Sequence, residues 1–233
     1  MAVRVFSDFD GPLVDVSERY YQVYRFCVDA VAATGQQLTP LSKSEFWDLK
    51  RDRVPEESIA LKTGFRADQT VEFARMRREY AHSQPYFKYD TIQPDAISAL
   101  TQLRDAGVEL AVMTMRRTRE LEPALERFGL AEFFPSHLRY CLPNDYIKQG
   151  DTRDKPLLMA RALKELPVAA RSWMVGDTEA DLTAGTTHKM PTIGLLCGIR
   201  NRQQLATYNP GIILPTLADA TGFILDDLSV MAG

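Results

Sequence analysis

The strongest constraint on the fold is a change of rhythm along the chain. Residues 2–7, Ala-Val-Arg-Val-Phe-Ser, are a short, partly β-branched apolar run stopped by polar and turn-forming residues, which predicts one buried strand. Helical signals then run from about 17 to 82, and only from about 92 do strands and helices alternate. The alternation runs through helix 94–107, strand 108–114 (VELAVMT), helix 117–128 and a short strand at 137–141 (HLRYC). It continues through a helix at 155–166, strand 172–177 (SWMVGD), helix 178–188, strand 191–196 (PTIGLL) and a last helix at 216–228. Such alternation implies a parallel sheet covered by helices on both faces. Ligands of these sheets bind beyond the carboxyl ends of the strands. The helical block lies between the first two sheet strands, so it is expected to form a separate cap. The expected division is a core of 1–15 and 89–233 with a cap of 16–88.

Local signals within the cap are specific. Tyr20, Val23, Tyr24, Cys27 and Val31 share one helix face, with Ser17 as the expected N-cap. Ser-Lys-Ser-Glu at 42–45 fits a capping box, and Pro55 and Gly64 bracket a short helix. The aromatic set Tyr20, Tyr21, Tyr24 and Phe26 reads as cap core.

The sheet edge is where the unusual residues fall. Asp8 and Asp10 follow the first strand in FSDFDGPLVD, Thr114 ends VELAVMT, Lys155 opens the helix KPLLMARALKEL, and Asp177 ends SWMVGD with Asp181 one turn later. Alternate strand residues share a face, so Asp8 and Asp10 are expected side by side. Each residue alone has an ordinary reading as an N-cap, a solvated charge or an acid at a helix start. Together they supply acids for a hard cation, a hydroxyl donor and one point positive charge, the parts needed for phosphoryl transfer through an aspartate.

Taken in order, DFDGPLVD, AVMT, DKP and VGDTEAD resemble the four motifs of the haloacid dehalogenase-like hydrolase superfamily, over nearly the whole chain. Within it the chain is similar to the phosphoglycolate phosphatase and β-phosphoglucomutase branch, with a helical cap after the first strand. The resemblance implies an α/β, Rossmann-like core and a Mg²⁺-dependent phosphatase acting on a small phosphorylated metabolite. It makes Asp8 the nucleophile, Asp10 the general acid/base, and Thr114 and Lys155 phosphate ligands. It makes Asp177 a direct metal ligand, with the Asp10 carbonyl as a second and Asp181 as an outer-shell or water-mediated contact. Pro12 and Met115 depart from the family pattern. Met115 still offers its N–H to the phosphate. A phosphomutase shares every one of these residues and stays open as an alternative. A phospho-aspartate signalling module needs no cap, and halide removal needs neither the second acid nor the metal.

Composition narrows the partners. A net charge of −3 argues against a nucleic-acid or acidic-membrane surface, and no run is long enough to span a bilayer. Three widely spaced cysteines, Cys27, Cys141 and Cys197, show no disulfide or zinc framework. With no signal-peptide pattern, a soluble, cytoplasmic monomer or homodimer is expected. Substrate choice is assigned to the cap. Lys50, Arg51 and Arg53 in WDLKRDRVPEE, expected to join two cap helices, are candidates to hold a second anionic group, against the reading of a solvated charged loop. Arg116 and Arg117 read equally as phosphate neighbours or as a helix start.

Overall fold

A computed structural model describes residues 2–232. Along the chain come β1 (Val3–Ser7), β2 (Val14–Asp15), α1 (Ser17–Val31), α2 (Lys43–Arg51), α3 (Glu56–Thr63), α4 (Ala67–Tyr80) and β3 (Thr91–Ile92). There follow α5 (Ala96–Asp105), β4 (Val108–Arg117), α6 (Thr118–Arg127), β5 (Arg139–Leu142), α7 (Asp151–Glu165), β6 (Arg171–Gly176), α8 (Glu179–Thr187), β7 (Thr192–Leu195), α9 (Arg202–Ala206), β8 (Ile212–Leu214) and α10 (Leu217–Ala232). The chain divides into two compact units. One comprises the segments up to Val14, Ile92–Gly198 and from Arg202 on. The other comprises Asp15–Thr91 with Ile199–Asn201.

The first unit carries a six-stranded sheet, in the order β5-β4-β1-β6-β7-β8, with every neighbouring pair parallel. Covered on both faces, its central strands are rich in buried apolar residues: Phe6, Ala111, Met113 and Met174 are buried against Leu158, Met159 and Ala162 of α7 and Ala184 of α8. Burying a side chain such as Phe6 contributes about 1.5–3 kcal/mol. Four of these elements escaped the sequence reading. Strands β2 and β3 are two residues each. β8 is three half-buried residues, and α9 is a single short helix. Two boundaries also differ. β4 runs on to Arg117, past Thr114, because its pairing with β5 slips register between Met113 and Arg117. Helix α7 starts four residues before Lys155, because the Asp154 carboxylate accepts the N–H groups of Gln149 (2.7 Å) and Gly150 (3.2 Å) and fixes the turn there.

The second unit packs α1–α4 around Val23, Tyr24, Cys27, Phe46, Ile59 and Phe73, with the Tyr24 and Phe46 rings stacked at 4.7 Å. The expected capping box forms between Ser42 and Glu45. Ser17, however, is the first residue of α1 and not its cap. The Asp15 carboxylate accepts the Ser17 N–H at 2.8 Å instead. The apolar face of α1 also carries a fully buried cation: Arg19 pairs with Asp90 at 3.1 Å, its guanidinium near the rings of Tyr20 and Phe87. Lys50 and Arg51 sit in the last turn of α2, where cations favour the helix terminus. Only Asp52–Pro55 joins α2 to α3. Among the described residues, no helix is long and apolar enough to cross a membrane.

Candidate active site

Strand β1 lies between β4 and β6, and Ser7 is in register with Val112 on one side and Val175 on the other. Asp8 is therefore one residue, and Thr114 and Asp177 two residues, beyond a common row at the carboxyl edge. The Asp8 N–H donates to the Val175 carbonyl at 2.9 Å, and the Phe9 N–H donates to Asp8 Oδ1 at 2.7 Å. These bonds fix both the peptide and the carboxylate of Asp8.

Lys155 enters from the second turn of α7 and is 1% exposed. Its Nζ lies 2.9 Å from Asp8 Oδ1 and also pairs with Asp181 Oδ1. The other Asp181 oxygen accepts the Thr178 N–H (2.9 Å) and hydroxyl (2.7 Å), closing a capping box at the start of α8. Both oxygens of Asp181 are thus engaged by the protein. Burial pulls the Lys155 ammonium toward losing its proton, but Asp181 and Asp8 outweigh burial and hold its pKa above the ordinary value. Asp8 is pushed well above the usual carboxylate range by burial, then by the Asp181 and Asp177 carboxylates, and Lys155 offsets only part of this.

Asp8, Asp177 and Asp181 are all buried, and each offers one oxygen within 4.8 Å of the others. Three carboxylates converging on one buried place repel one another, which a hard, oxygen-seeking cation relieves. Backbone fits round them tightly. Gly11, at φ +94°, and Gly198 both lie so close to the Asp177 carboxylate that a β-carbon on either would collide with it. The donor set and its glycine cradle suit a metal ion.

Asp10 lies past the end of the first strand. The chain leaves the strand after Ser7 and turns, with the Phe9 carbonyl accepting from the N–H groups of Leu13 and Val14, so the alternate-face rule does not apply. The acid crowded by other acids is Asp8. Asp10 instead pairs with Arg116, whose Nε and Nη2 lie 2.7 and 2.6 Å from Asp10 Oδ1. The Arg116 guanidinium stacks over the Phe9 ring, 4.8 Å from its centroid, and the Arg116 backbone N–H donates to Thr114 Oγ1 at 3.2 Å. Thr114 is buried and Met115 half-buried on β4. The sequence reading named Arg116 without choosing a role for it, since its partner is far away in the chain.

Lys50, Arg51 and Arg53 belong to the helical unit. Lys50 Nζ is paired with Glu56 at 2.5 Å, and Glu56 also lies 3.4 Å from buried Arg77. Burial pulls the Lys50 pKa down, and Glu56 offsets part of that pull. The Arg51 carbonyl accepts the Asn201 N–H at 3.3 Å, and the Lys50 carbonyl accepts from Arg200 Nη1 at 3.3 Å. Arg53 has φ +57°, just past the end of α2, where its N–H donates to the Lys50 carbonyl.

Comparison with known proteins follows the same lines. The family model of haloacid dehalogenase-like hydrolases matches residues 4–188. A phosphoglycolate phosphatase of Psychrobacter arcticus is 27% identical over 216 residues, covering 87% of each chain. The pyrophosphatase PpaX of Bacillus velezensis is 22% identical over 219 residues, covering 92% of this chain and 93% of its own. Among solved structures, a predicted phosphatase from Clostridium acetobutylicum superposes with a TM-score of 0.68 at 20% identity, covering 97% of this chain and 99% of that one.

Proposed function

Because this chain belongs to the haloacid dehalogenase-like hydrolases, we propose that it is a Mg²⁺-dependent phosphatase that hydrolyses a small phosphate monoester through an aspartyl phosphate on Asp8. The observation that carries the reading is a buried Asp8 carboxylate, fixed by a backbone N–H and by Lys155, among acids that need a cation. Mg²⁺ held by Asp8, the Asp10 carbonyl and Asp177 would supply charge neutralisation for the phosphate dianion.

The chain's own residues account for the remaining chemistry. The Asp8 carboxylate attacks phosphorus, forming an O–P bond as the bond to the leaving oxygen breaks. Lys155 neutralises charge on the transferred group, and Thr114 offers it a hydroxyl. The departing alkoxide takes a proton from the Asp10 carboxyl. In the second half, the Asp10 carboxylate removes a proton from water, whose oxygen attacks phosphorus and frees Asp8 and inorganic phosphate. The pairing with Arg116 suits this second half, because it steadies an ionised Asp10. Lys50, Arg51 and Arg53 are the proposed contacts for an anionic leaving group.

The test is phosphate release by purified protein with Mg²⁺ from a panel of small monoesters, 2-phosphoglycolate among them, with pyrophosphate alongside. The Asp8→Asn variant should be inactive yet folded, since it is isosteric and loses only the nucleophilic charge. Near-normal turnover by that variant sinks the mechanism. Faster release from pyrophosphate than from every monoester overturns the substrate class and leaves the chemistry standing.

A further inference from the structure

The two backbone faces against the Asp177 carboxylate come from separate parts of the chain. Gly11 belongs to the turn after β1, next to Asp10, and Gly198 follows β7. One side chain reaches both stretches. Gln93 Nε2 donates to the Gly11 carbonyl at 2.8 Å and to the Cys197 carbonyl at 3.4 Å. Gln93 is itself anchored, its N–H donating to the Leu13 carbonyl at 2.9 Å. The Cys197 thiol adds a longer contact, donating to the Gly11 carbonyl at 3.6 Å.

We propose that Gln93 is a positioning residue for the cation site, setting the spacing of the Gly11 and Gly198 faces that seat Asp177 and aligning the adjoining Asp10 carbonyl. The proposal rests on the reading of Asp8, Asp10 and Asp177 as the Mg²⁺ site. The chemistry calls for an uncharged donor. A carboxylate of the same shape would face two carbonyl oxygens and repel both, and an ammonium would add positive charge beside the cation. Gln93 touches neither the phosphate-binding groups nor Asp8, so its effect should fall on metal affinity. Partners of this kind, one shell out from a metal, typically change affinity or activity about 10–100-fold when mutated. Gln93 is half-buried, and water can replace part of a lost donor, so the low end of that range is expected.

The experiment compares Gln93→Glu and Gln93→Met with the unaltered chain and with Asp177→Asn. Mg²⁺ binding is measured by calorimetry, Mn²⁺ binding by electron paramagnetic resonance, and melting in EDTA confirms the fold. The expected result is an approximately tenfold weaker dissociation constant for both Gln93 variants, with kcat at saturating Mg²⁺ returning to the parent value. If Gln93→Met is insoluble, Gln93→Glu still decides, because it exchanges one nitrogen for oxygen at constant shape. Parent-like metal affinity in the Gln93 variants overturns this inference alone when Asp177→Asn weakens binding, and together with the metal reading when it does not. A kcat loss that persists at saturating Mg²⁺ overturns it as well. No Mg²⁺ or Mn²⁺ binding by the unaltered chain overturns the metal reading and this inference together.

Discussion

Replacing Lys155 with Met tests the charge arrangement at the sheet edge without reference to any substrate. The substitution keeps an unbranched chain of similar volume but removes the one ammonium between Asp8 and Asp181. Breaking a buried ion pair by deleting one partner costs about 3–5 kcal/mol, because a charge is left buried and uncompensated. At about 2–4 °C per kcal/mol for a chain near this size, the melting temperature should fall by about 6–20 °C at pH 8. The loss has a direction with pH. Unfolded aspartates titrate near pH ~4, so between pH 5 and 8 they hold essentially no protons. The folded variant escapes part of its penalty by keeping a proton on Asp8, whose pKa is already held above the usual carboxylate range and rises further once Lys155 is gone. A raised folded pKa makes stability fall as pH rises, by about 1.36 kcal/mol per pH unit for each extra proton bound. Over three units that reaches about 4 kcal/mol. Urea denaturation of both proteins in EDTA at pH 5, 6.5 and 8 reads this directly. A penalty below about 1 kcal/mol that is equal at pH 5 and pH 8 would refute the buried cluster of acids.

Other substitutions separate the roles of neighbouring groups. Asp177→Asn should raise the Mg²⁺ concentration needed for half-maximal turnover. Asp181→Asn, whose partners are Lys155 and Thr178, should lower kcat with a smaller change in Mg²⁺ requirement, and Mg²⁺ titrations of both variants rank the two effects. Arg116→Met should lower kcat about ten- to a hundred-fold by loosening Asp10, at or below the low end of the roughly 10²–10⁴-fold that general acid–base groups supply, and Arg116→Lys should recover part of it. Arg53→Gly should stabilise the fold by about 1 kcal/mol, since a side chain at positive φ carries roughly that strain. If Arg53 contacts the leaving group, the same variant should lose turnover of an anionic substrate while sparing an aryl phosphate, as should at least one of Lys50→Ala and Arg51→Ala. Equal effects on both ester types in all three would return these residues to a purely structural role.

What was legible in the sequence followed from short-range rules. The strand ahead of Asp8, the box at Ser42 and Glu45, and the order of alternating elements each depend on residues within a few positions of one another. The errors came where distant partners intervene. Thr114 looked terminal because a threonine closed an apolar run, yet β5 extends the pairing to Arg117 with a slip. The start of the Lys155 helix differs for a local reason, since the neighbouring Asp154 captures two earlier amides and begins the helix sooner. Arg19 sits on an apolar helix face only because Asp90, far along the chain, neutralises it. Gln93 carries no motif signal at all, and its role is visible only from the two carbonyls it meets. Short edge elements such as β8 have too few residues to show a period.

The Asp181 carboxylate serves a helix terminus and a buried lysine at once, one oxygen on Thr178 and the other on Lys155. Local fraying of α8, ordinarily an inexpensive motion at a helix end, here has to strip a buried ammonium of its counter-ion. The first turn of α8 should therefore open only with the surrounding core. In hydrogen–deuterium exchange, the Thr178 amide should be protected to nearly the depth of the sheet amides, while the ends of other helices exchange early. Deuterium uptake at that one position thus reads the integrity of the charge cluster in the resting protein, with no ligand added and no turnover required.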